Sequence, residues 1–95
     1  DWSKRNQQID NKIRAMSSPY PCAFSMLNDT PYFFNIAKPV FSDKDNGIHG
    51  LIIDANSDFI VVNTGNGLLM AYDIRNNVNE KVDFAKSFKK GDVFK

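Results

Sequence analysis

Residues able to do chemistry are few in this sequence, and they stand far apart. His49 is its one histidine and Cys22 its one cysteine. Neither has a serine, thiol or carboxylate at a spacing that would activate a nucleophile, so a catalytic dyad or triad has no support. A single cysteine cannot close an internal disulfide, and no metal-ligand spacing surrounds it or His49, so no metal is expected. Asp43, Asp45, Asn46 and Gly47 faintly suggest a calcium loop, but the register that ends in a bidentate glutamate is missing. Gly65-Asn66-Gly67 could be taken for a phosphate cradle. It lacks the G-x-x-x-x-G-K and full G-x-G-x-x-G patterns, and the following Leu68-Leu69-Met70-Ala71-Tyr72 reads as a strand, not a helix. A hairpin turn is the reading, since tight primed turns take residues that tolerate positive φ.

What remains is electrostatic. Lys86, Lys89, Lys90 and Lys95 form the one local basic cluster, and Lys86, Lys89 and Lys90 are the candidate contacts to RNA phosphates. A solvated tail is the plainer account of the same residues. Twelve basic against eleven acidic residues give a net charge of +1, without the broad basic excess of a dedicated nucleic-acid binder. Apolar residues at 42% and charged residues at 24% are ordinary for a folded domain and argue against a disordered tail. No apolar run approaches the ~20 residues needed to span a bilayer, and no signal peptide is visible. Cysteine usage fits a reducing cytoplasm. The chain opens on Asp1, which points to a piece of a larger protein.

Stepping along the chain, one helix is expected over residues 3–17, with Ser3 as N-cap and Ile9, Ile13 and Met16 on one face. Pro19 and Pro21 stop it. Short extended runs follow at 22–27, 32–37, 51–54, 59–63 and 68–74, separated by turns at 28–31, 42–47, 56–58 and 65–67. After an Asn-rich connection, 82–88 suggests a short helical turn and 91–94 a last extended piece. The expected fold is mainly β: one N-terminal α-helix, then a small OB-like Greek-key barrel of five to six strands. Residues 1–95 are read as a single domain, with the barrel over 22–75 and a C-terminal extension over 76–95.

Three features line up in order: Asp1-Trp2-Ser3, then Ile13-Arg14-Ala15, then Pro19-Tyr20-Pro21-Cys22-Ala23-Phe24. This resembles the opening of the C-terminal domain of the formyltransferases that use formyltetrahydrofolate, which reads D-W, I-R-A, P-[WY]-P-G-A-F. Ile60 to Leu69 is similar to that domain's strand–glycine turn–strand, and Phe88 to Phe94 to its closing segment. Two departures stand out: Cys22 where the family has Gly, and His49-Gly50 where Pro-Gly is common.

The resemblance implies a non-catalytic domain attached to an N-terminal catalytic formyltransferase domain, which would bind 10-formyltetrahydrofolate and carry the family's Asn, His and Asp set. It implies an interdomain or structural role for Trp2, Ile13, Arg14, Ala15, Pro19, Tyr20, Pro21 and Phe24, and it leaves a homodimer possible. Pro19-Tyr20-Pro21 with Phe24 could serve as a stacking platform for bases, although such prolines more often fix a turn. The family formylates either initiator methionyl-tRNA or the amine of a nucleotide-linked sugar. Three residues between Ala15 and Pro19, together with Tyr20, resemble the sugar branch; the alternative is a tRNA-binding domain.

Overall fold

A computed structural model describes residues 1–16, 22–43 and 47–95. Helix α1 (Asn6–Met16) is followed by strands β1 (Ala23–Leu27), β2 (Thr30–Val40), β3 (Ile52–Ala55), β4 (Ile60–Asn63) and β5 (Leu68–Arg75), then by a single-turn helix α2 (Phe84–Ser87). All five strands join one antiparallel sheet in the order β1-β2-β5-β4-β3. β3, β4 and β5 form a meander, and β2 returns beside β5, which is the Greek-key arrangement. The protein is mainly β with one N-terminal helix, as expected.

The expected OB-like barrel takes the form of five strands in an open sheet, with β1 and β3 as its edges. The C-terminal segment lies between those edges and bonds to both. Ile52 N–H donates to Asp92 O (2.7 Å) and Phe94 N–H to Gly50 O (2.8 Å) on one side; Lys95 N–H donates to Met26 O (2.9 Å) on the other. The first side amounts to one isolated bridge, Leu51 with Val93, and the second to backbone bonds at the last residue; neither makes a sixth strand, so the architecture is barrel-like at most. Register shifts in β2 near Asn35 and in β3 near Ile53 supply the curvature.

Helix α1 begins two residues later than the Ser3 cap implied. The Asp1 carboxylate accepts from both the amide and the hydroxyl of Ser3, which holds that residue in a turn. Helix entry is instead capped at Arg5, whose amide donates to the side chain of Gln8 (3.2 Å), one half of a capping box. The expected end at Ser17, with Ser18, lies outside the described residues.

The β1–β2 turn is Asn28-Asp29, both left-handed with φ of 49° and 64°, as a type I′ loop requires. β2 outruns its expected 32–37 because Pro31 and Pro39 do not break it. Pro31 precedes the first pairing with β5, and Pro39 lies past the last pairing with β1. Each has a strand on one side only, where a missing N–H is tolerated.

The turn at 65–67 has a different purpose from the one its glycines suggested. Gly67 does take positive φ (84°), but Gly65 is needed for space, because a Cβ there would overlap the Ser3 carbonyl. The N-terminal segment docks directly onto this turn. Gly65 N–H donates to Lys4 O (2.9 Å), and Asn6 N–H to Asn66 O (3.0 Å). The Asn6 side chain then bonds Val40 O and Leu68 O, tying α1 to β2 and β5.

Inside the curve sits an aromatic cluster drawn from both ends of the chain. Phe34 lies 5.5 Å from Trp2 and 5.3 Å from Phe94, centroid to centroid, while Phe84 and Phe88 extend the cluster toward Tyr32. Ile52, Ile60, Val62, Leu69 and Ile74 complete the core. Gly50 (φ 93°) lies so close to the Phe94 carbonyl that a Cβ would collide with it, which explains the glycine of His49-Gly50.

Candidate docking joint and basic tail

The residues of the opening motif divide between core and surface. Trp2 is buried; its indole N–H donates to Ser25 Oγ (2.9 Å), whose hydroxyl donates to Lys95 O (2.8 Å). A polar relay thus couples the start of the chain, β1 and the tail, while the indole ring stacks on Phe94 at 5.6 Å. Ile13 is likewise buried beneath α1. Arg14 and Ala15 stand on the exposed face of the helix. Pro19, Tyr20 and Pro21 lie outside the described residues.

Arg14 donates through Nε to Asp10 Oδ2 at 3.0 Å, with the acid four residues before the base, the favourable order on a helix. Asp10 itself is buried, a position the hydrophobic pattern gave no sign of, and its Oδ1 has no hydrogen-bond partner among the described residues. Phe24 sits on β1 with 61% of its surface exposed, its ring 5.6 Å from Phe33. Between α1 and β1 runs a groove of about 220 Å³, floored by Ile9, Ile13 and Ala23, flanked by Phe24, with Lys4 and Lys12 on its rim.

The basic tail is built by alternation of anchors and charges. Asp83 caps α2 by accepting from the Ala85 amide (3.1 Å), Phe84 and Phe88 turn into the core, and Lys86, Lys89 and Lys90 are left exposed. Lys89 and Lys90 border an open cleft with Asn56 and Ser57 of the β3–β4 turn. Residues 81–95 carry five basic and two acidic residues; the rest of the chain carries seven and nine. Positive charge is therefore concentrated in the tail, although the chain as a whole is nearly neutral.

Two polar groupings were not visible in the sequence. Asp73 is buried and held by both nitrogens of the Arg75 fork (2.8 Å each) and by the Asn35 amide (3.0 Å). Burial alone would raise its carboxyl, but the hydrogen bonds from Arg75 and Asn35 and the positive charge outweigh it, so its pKa lies below the ordinary value. The Arg75 guanidinium is raised in turn by its hydrogen bond to Asp73. The bulge near Asn35 permits this arrangement, and period-two counting gives no sign of it.

The other grouping is a solvent-open cleft beside the 65–67 turn, where Ser42, Asp43 and His49 meet. His49 is exposed and makes no side-chain hydrogen bond among the described residues, so the three residues are not joined into a nucleophile-activating chain. Among the described residues, no three His, Cys, Asp or Glu side chains gather as metal ligands, and no helix is long and apolar enough to cross a membrane.

The chain belongs to the formyl transferase C-terminal domain family, whose profile matches residues 1–92. It is 30% identical over 87 residues to the methionyl-tRNA formyltransferase of Lactococcus lactis subsp. cremoris (strain MG1363), covering 87% of this chain and 27% of that protein. It is also 30% identical over 91 residues to the methionyl-tRNA formyltransferase of Syntrophomonas wolfei subsp. wolfei, covering 93% and 28% respectively. The chain thus spans little more than a quarter of the length of these curated relatives.

Proposed function

We propose that this chain is the C-terminal, non-catalytic domain of a methionyl-tRNA formyltransferase, where it helps to hold the tRNA while a separate N-terminal domain transfers the formyl group. The observation that carries this reading is the similarity to methionyl-tRNA formyltransferases across nearly the whole chain. The concentration of positive charge in 81–95 supports it, because lysines exposed beside a polar turn are suited to phosphate contact.

The formyl donor, 10-formyltetrahydrofolate by family, does not fit the residues described here. The α1–β1 groove at about 220 Å³ is smaller than the roughly 300–1,000 Å³ of ordinary ligand pockets, and the larger clefts beside the 65–67 turn (about 500 Å³) and beside α2 (about 310 Å³) are open to solvent, so none of the three encloses a folate. No step of the chemistry is assigned to these residues. Folate binding and formyl transfer belong to the N-terminal domain of the parent protein, which is this domain's first partner.

The three-residue spacing between Ala15 and Pro19 favours a second reading, the sugar-modifying branch. Supplying the parent enzyme with formyl donor and either methionyl-tRNA or a nucleotide-linked aminosugar separates the two. Formylation of the charged tRNA is expected; formylation of the sugar amine alone would overturn the proposal.

A further inference from the structure

The outer edge of β1 is open at one residue, and that opening lies beside the groove under α1. The two-residue hairpin makes Leu27 and Thr30 a hydrogen-bonded pair, so Leu27, Ser25 and Ala23 direct their backbone groups toward β2. Met26 and Phe24 direct theirs outward. Met26 is satisfied, exchanging bonds with Lys95 (3.4 and 2.9 Å). The amide and carbonyl of Phe24 have no partner among the described residues. An unpaired stretch of strand next to an apolar recess is the geometry that accepts an added strand, the backbone giving affinity and the recess taking a side chain.

We infer that this edge receives an extended segment from the catalytic portion of the same polypeptide, which pairs with Phe24 and seats one large apolar side chain in the α1–β1 groove. The inference rests on the functional reading above, under which most of the parent chain lies outside these residues. Lys4 and Lys12 on the rim are exposed, not ion-paired among the described residues, and outnumber the one acidic residue of the lining, Asp1, whose carboxylate is taken up by Ser3, so the incoming segment carries a carboxylate beside its apolar anchor. The same lysines disfavour a second copy of this domain, which would set like charges face to face across the edge. An RNA strand has neither a backbone that continues a sheet nor a side chain for the recess.

The test is hydrogen exchange at the Phe24 amide in the full-length parent protein, with formyltransferase activity measured on the same sample. The amide is expected to exchange at least about tenfold more slowly than an unpaired amide, independently of protein concentration, and to lose most of that protection in Lys12→Glu. Exchange near the unpaired rate in an active enzyme overturns the docked strand and leaves the functional reading intact. Protection that grows with concentration overturns the named occupant in favour of a second copy, and protection unchanged in Lys12→Glu overturns the acidic anchor. A parent protein that formylates nothing removes the functional reading, and the occupant with it.

Discussion

Replacing Trp2 by alanine is the most informative perturbation of this fold, because the same residue could belong either to the core or to an interface. The structure packs its ring against both Phe34 and Phe94, with the indole N–H on Ser25. Truncating a buried tryptophan costs about 3–5 kcal/mol, from lost transfer energy plus the cavity left behind. For a chain of this length total stability is roughly 5–14 kcal/mol, so between about a fifth and the whole of it would be lost. Trp2→Phe separates the two contributions: it keeps most of the packing and removes the bond to Ser25 with the small volume of the five-membered ring, while the Ser25 hydroxyl still donates to Lys95. That variant should cost about 1 kcal/mol. Urea titrations followed by far-ultraviolet circular dichroism measure both, with the slope checked for constancy. A Trp2→Ala variant within about 1 kcal/mol of the parent would refute the core assignment, and so would Trp2→Phe proving as damaging as Trp2→Ala.

Other outcomes follow from single contacts. Gly65→Ala forces a Cβ onto the Ser3 carbonyl and should release the N-terminal segment, visible as faster amide exchange at Asn6 and at position 65 together with a loss of about 1–3 kcal/mol, whereas Gly91→Ala, strained by its own left-handed backbone (φ 102°) but meeting no atom within 4 Å, should not undock it. Asp73 has a folded-state pKa below its unfolded one, so the stability it contributes is present above about pH 4 and lost as pH falls through the lower folded value. Asp73→Asn should therefore flatten the acid limb of stability against pH, and an unchanged limb would count against the Arg75 fork as its cause.

Much of the fold was legible because local chemistry and the global arrangement agree. Strand β5 and the short α2 announce themselves by alternation and by Phe84 and Phe88 at i, i+4 spacing, and Asn28-Asp29 is a turn by residue type alone. Where the reading stopped short, the reason lay in long-range contacts. Pro31 and Pro39 look like strand ends until one knows which side of β2 each one faces. Gly65 looks like a turn glycine until the N-terminal segment is seen lying on it. The link between the two sheet edges depends on four residues at the end of the chain, whose few backbone bonds leave no periodic signal. Trp2 and Ile13 stood out through the motif, yet only packing shows that both are consumed inside this domain, while Arg14, Ala15 and Phe24 stand at the surface.

The central claim is that the basic tail holds tRNA, and the salt dependence of binding tests it most directly. Affinity of the protein for initiator tRNA, measured across a range of salt concentrations, should fall steeply. In Lys86→Ala/Lys89→Ala/Lys90→Ala the slope of log K against log salt should be shallower by about two to three units, roughly 0.7–0.9 for each lost phosphate contact. An unchanged slope in that variant, or no binding at low salt, would contradict the account.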